Sequence, residues 1–125
     1  MSVGAAIRIT SPDEERVIKH AVAFAAQRGE PCFVISVVHD LPYGNVSEEQ
    51  RDVVLHNLAL IAELRAAPVM QEGDDVARTL LAVAEGFGVR TLFLQSGTSR
   101  LLGRSIAEQL LYLDPPFDVV FVGSE

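Results

Sequence analysis

The stretch richest in chemical groups is Ser96-Gly97-Thr98-Ser99-Arg100-Leu101-Leu102-Gly103-Arg104-Ser105. It sets two glycines, four hydroxyls and two arginines between an apolar run and a helix-start signal. Glycine lets backbone approach an anion, free N–H groups at a helix N-terminus attract negative charge, and guanidinium forks pair with phosphate oxygens. This pattern marks Gly97, Ser99, Arg100, Gly103, Arg104 and Ser105 as a candidate phosphate or nucleotide crevice. The same residues have a plainer reading, in which Gly97 turns the chain, Ser105 caps its helix and the arginines are solvated. A P-loop is rejected. That motif needs four residues between its glycines and then Lys with a hydroxyl, whereas five separate Gly97 from Gly103 and Arg104 occupies the lysine position.

Other reactive groups are sparse. His39-Asp40 could begin acid–base chemistry or half a metal site, but His20 and His56 fall on helical segments elsewhere and no metal-ligand spacing occurs. No metal is expected, and His39 reads as a loop residue lining the sheet edge. Cys32, the single cysteine, opens an apolar run without a basic neighbour and reads as a buried, inert thiol. The acids Asp13-Glu14-Glu15 and Glu48-Glu49 are explained by helix capping and the helix dipole. A phospho-acceptor receiver is excluded, because Lys19 is the only lysine and does not follow the fourth strand.

The elements that must position these groups follow from periodicity. Apolar runs at residues 5–9, 32–38, 68–72, 91–95 and 118–122 predict five strands. Between them lie four helical segments. Ser11-Pro12-Asp13-Glu14 predicts a start with Ser11 as N-cap and Pro12 at the first helical position, and Gly29 predicts the stop. Ser47 to Gln50 is a second capping box, ahead of a stripe of Val54, Leu58 and Ile61. Asp74 or Asp75 caps a third helix bearing Val76, Leu80, Val83 and Phe87. Ser105 to Glu108 forms another box, and Pro115-Pro116 ends the last helix. Strict βα alternation predicts one α/β domain over residues 1–125, a five-stranded parallel sheet with helices on both faces. Ligands in such folds sit outside the carboxyl ends of the strands, where strand order reverses. Thr10, Ser11 and His39 therefore join the crevice candidates.

Composition bounds the function. The 125 residues carry a net charge of −7, which excludes broad nucleic-acid or anionic-membrane binding. No apolar run approaches a membrane span, and one cysteine fits a reducing compartment, so a cytoplasmic protein is expected.

At this point the residues resemble a family. Residues 91–122, with Leu101-Leu102-Gly103-Arg104-Ser105-Ile106-Ala107-Glu108 at their centre, look like the C-terminal half of universal stress proteins (Usp or UspA-like domains). The segment from Glu15 to Gly29 and the run to Val38 look like that family's first helix and second strand. The pairs Ser99-Arg100 and Arg104-Ser105 are closer to the Usp-like domain of potassium-sensing histidine kinases. The resemblance implies a Rossmann-like sheet of order 3-2-1-4-5 and a homodimer pairing through the last strand, with Val119, Val120, Phe121 and Val122 at the interface. ATP-binding members carry a Gly-x2-Gly-x9-Gly-Ser/Thr motif and an Asp after the first strand. Gly97 and Ser105 match the motif's ends, but Arg100 and Arg104 replace two glycines and only four residues separate Arg100 from Ser105. The Asp position falls at Thr10 or Ser11, neither acidic. The expectation is a regulatory or stress-response binding module, not an enzyme, without the usual ATP mode and with no resident cofactor, acting through a regulatory protein partner. The alternatives are an ATP- or AMP-binding stress protein using residues 96–105, and a detached sensory domain that docks on a histidine kinase.

Overall fold

The computed structural model describes residues 1–38, 46–95, 100–101 and 104–123, with the backbone alone at 100, 101, 104 and 105. The elements run β1 (Ser2–Ala6), α1 (Glu15–Arg28), β2 (Cys32–Val38), α2 (Glu48–Glu63), β3 (Ala67–Glu72), α3 (Val76–Gly86), β4 (Val89–Gln95), β5 (Arg100–Leu101), β6 (Arg104–Ser105), α4 (Ile106–Tyr112) and β7 (Asp118–Val122). Five strands form one parallel sheet in the order β3-β2-β1-β4-β7. This is the expected order, with β7 as the fifth strand of the sheet. The short β5 and β6 pair antiparallel as a separate ribbon inside the segment expected to be an irregular loop.

Both faces of the sheet are covered. Val3, Ala5, Val34 and Phe93 pack with Val17, Ile18 and Ala21 of α1 and Val54 and Ile61 of α2 in one core. Ile35, Val89 and Leu92 pack with Leu80 and Ala84 of α3 and Leu110 of α4 in the other. Alternate residues of a strand point to opposite faces, so burial on both sides explains why β2 reads as a continuous apolar run.

The first strand lies three residues earlier than expected. Ser2 and Gly4 are poor strand formers by type, yet both are buried here for specific reasons. The Ser2 hydroxyl donates to the Phe87 carbonyl at 2.8 Å. A Cβ at Gly4 would approach Leu92 Cδ1 to 2.9 Å, so the close packing against β4 favours glycine. Ile7 and Ile9, which suggested the later strand, are buried in the turn that follows it.

The start of α1 also differs. Glu14, not Ser11, is the N-cap residue, and Pro12 precedes the helix. Gly29 ends it in the left-handed conformation, as expected. The reciprocal Ser47–Gln50 capping box opens α2 as expected, and Asp75 caps α3 by accepting from the Arg78 N–H at 3.2 Å. The side chain of Ser105, the expected cap of α4, lies outside the described residues.

Candidate functional site

Strand order reverses between β1 and β4, the two central neighbours from which the chain runs outward in opposite directions. Ligand sites in such sheets lie outside the carboxyl ends at this switch point, where the β1–α1 turn follows β1 and residues 96–105 follow β4 in sequence. Thr10 and Ser11 are in that turn. His39, Gly97, Ser99 and Gly103 lie outside the described residues. Arg100, Arg104 and Ser105 are placed by backbone register alone: Arg100 stands opposite Ser105, and Leu101 opposite Arg104.

The β1–α1 turn is built from the inside. The Ser11 N–H donates to the Arg8 carbonyl at 2.9 Å, which closes the chain on itself just after β1. Ser11 Oγ accepts from the Asp13 N–H at 3.3 Å, so its hydroxyl supports the turn and not the first turn of the helix. Asn57 reaches across from α2. Its Nδ2 donates to the Ile9 carbonyl at 2.9 Å and to the Ser11 carbonyl at 3.0 Å, while the residue itself is 1% exposed. These long-range bonds explain the displaced helix start: the Ser11 backbone is held against α2, away from the position an N-cap would need.

Glu14 completes the arrangement. Its Oε1 accepts from the Arg8 N–H at 3.2 Å, six residues back, where a capping-box glutamate would reach three. Its Oε2 is buried without a hydrogen-bond partner. Burial pushes the Glu14 carboxyl above its ordinary value of 4.5; the Arg8 N–H and guanidinium oppose that rise, and Asp13 adds to it. Periodicity pointed to neither Glu14 nor Asn57 as special. A signal for Asn57 existed, because it sits three residues after Val54 and four before Ile61, on the helix face those residues bury.

The neighbouring β3–α3 turn is tightly closed. The Gly73 N–H donates to the Val38 carbonyl at 3.0 Å, and a Cβ at Gly73 would collide with the Thr79 hydroxyl. Cys32 is buried and its thiol is pushed up to about 11 by burial, which matches the inert reading. Among the described residues no group of three or more His, Cys, Asp or Glu side chains is placed to hold a metal ion, and no helix is long and apolar enough to cross a membrane.

The interface candidates on β7 divide by face. Val120 and Val122 pack into the α1 side of the core and Val119 into the α3 side, while Phe121 is 43% exposed. The strand is at the sheet edge, paired on one side by β4.

No protein-family model matches the chain, and no curated protein does. Solved structures match along nearly the whole length. A universal stress protein from Archaeoglobus fulgidus in complex with dAMP superposes with a TM-score of 0.66 at 16% identity, covering 100% of this chain and 98% of that one. A universal stress protein in complex with cAMP gives 0.71 at 14% identity, covering 99% and 98%. A universal stress protein family member from Burkholderia pseudomallei gives 0.66 at 22% identity, covering 97% and 95%. Identity at this level carries the architecture: the chain has the universal stress protein fold.

Proposed function

We propose that this chain is a regulatory, stress-response binding module of the universal stress protein type, cytoplasmic and not an enzyme, which acts through protein contacts and does not take ATP in the usual mode. The observation that carries this reading is the β5–β6 ribbon. Arg100 stands opposite Ser105 and Leu101 opposite Arg104 in antiparallel register. A segment paired this closely has little length left to wrap a triphosphate. The β1–α1 turn supports the same reading, since Thr10 and Ser11 supply no carboxylate and the Ser11 hydroxyl already accepts a backbone N–H.

A second reading is favoured by the nucleotides in two of the structural neighbours, dAMP and cAMP. In it, Gly97, Ser99, Arg100, Gly103, Arg104 and Ser105 hold a nucleotide phosphate. Calorimetric titration with ATP, AMP and cyclic nucleotides, with mass spectrometry of co-purified small molecules, separates the two. No heat of ATP binding at micromolar concentration is the expected result. Micromolar ATP affinity that Arg104→Glu abolishes would establish the second reading instead.

The exposed Phe121 and the single pairing partner of β7 support a homodimer through that edge. Light scattering at micromolar concentration is expected to give twice the chain mass, and Phe121→Lys to give a folded monomer. A wild-type monomer at that concentration would end the proposal.

A further inference from the structure

We propose that Glu14 is a proton-operated latch on the β1–α1 turn: neutral, it stays packed under the turn and holds Arg8; ionised, it swings out and the turn loosens at that point. The inference goes beyond the binding-module reading and stands whether or not the crevice takes a nucleotide.

The geometry supplies the closed state. Glu14 is 5% exposed, with one oxygen on the Arg8 N–H and the other buried without a partner. A neutral carboxyl in this setting forgoes one hydrogen bond. A carboxylate leaves a charged oxygen bare in a place water does not reach, a far larger penalty. The charges acting on it do not cancel that penalty. Arg8 attracts, but its own side chain is exposed, and Asp13 repels. From α2 the group held against the turn is the neutral amide of Asn57. The positive end of the α1 dipole favours the anion, yet Glu14 makes no side-chain bond to the first helical N–H groups.

The exit is short. Glu14 sits between exposed Asp13 and Glu15, and leaving breaks one hydrogen bond, that with Arg8. The Ile9 and Ser11 carbonyls remain pinned by Asn57, so the opening is confined to the contact between Arg8 and Glu14. The sign follows from the closed state holding its proton more tightly than the open one. Closure is fully favoured below the ordinary carboxylate value and is lost as pH rises through the raised value of the closed state.

Amide hydrogen exchange at Arg8, corrected for the intrinsic pH dependence of exchange, reads the latch directly. Protection is expected to fall by up to about tenfold per pH unit between 4.5 and the closed-state value, and to be flat on either side. Glu14→Gln, which mimics the neutral acid, is expected to keep Arg8 protected across the range. Loss of protection in Glu14→Gln with the same pH profile as wild type would overturn the latch. If that variant does not fold, the side-chain carboxyl 13C shift of wild-type Glu14 decides the matter: a midpoint above 4.5 that coincides with the loss at Arg8 supports the latch, and titration at 4.5 with constant protection refutes it.

Discussion

Asn57→Leu unfolds at a markedly lower urea concentration than wild type, with an expected loss of about 2–6 kcal/mol, at about 1–3 kcal/mol for each carbonyl left bare. Leucine has the same number of side-chain heavy atoms as asparagine, though it is bulkier, and it carries no donor, so the carbonyls of Ile9 and Ser11 lose their bond to Asn57 in the interior. Water cannot easily replace the amide, because the position is 1% exposed. Asn57→Asp separates hydrogen bonding from packing. An ionised carboxylate facing two carbonyl oxygens is repelled by both, whereas a protonated one can still donate to one of them. Its deficit is therefore expected to be greater at pH 7 than in mild acid. A loss below about 1 kcal/mol for Asn57→Leu would show that the two carbonyls find other donors, and that α2 does not hold the turn.

Leu92→Ala is expected to cost about 2–5 kcal/mol, the usual range for truncating a fully buried leucine whose surroundings cannot collapse. Leu92 is 0% exposed at the centre of the α3 and α4 side of the sheet. Gly4→Ala alone is also expected to destabilise, by about 1–3 kcal/mol, through overpacking. Its new methyl group would approach Leu92 Cδ1 to 2.9 Å and the Val89 methyl groups to 3.3 Å. The two changes relieve one another, since Leu92→Ala removes the atom that the Gly4→Ala methyl meets. The double variant is expected to be more stable than the sum of the single losses by about 1–2 kcal/mol in a double-mutant cycle. Additive losses would place the strain at Val89 instead.

These two sites also show where sequence patterns carry structural information and where they do not. The parallel arrangement was legible because helices and strands alternate, the strand order followed from the family resemblance, and β2 was legible because burial on both faces writes an uninterrupted apolar run. β1 was misplaced because its defining positions, Ser2 and Gly4, are selected by what they touch across the sheet, 85 residues away in the case of Ser2. The helix start at Ser11 follows a sound local rule, but a side chain 46 residues later holds the Ser11 carbonyl elsewhere. Glu14 had every local mark of a solvated first-turn acid, and nothing nearby in the chain indicates burial. The candidate crevice was legible only as a composition of glycine, hydroxyl and arginine. The β5–β6 ribbon was not, because two-residue strands carry no period.

The central place of β1 has a consequence for how the chain is made. It is the first strand to be synthesised, yet it lies in the middle of the sheet and needs partners on both edges. Its β2 partner arrives early, through pairs such as Val3 with Cys32. Its other edge waits for residues 89–94, after α3. Until then a nascent chain presents an apolar strand with one open edge, the arrangement most prone to pairing with the wrong neighbour. The sheet thus joins the two ends of the sequence at its centre, through pairs whose partners lie nearly ninety residues apart, and such non-local pairing slows folding.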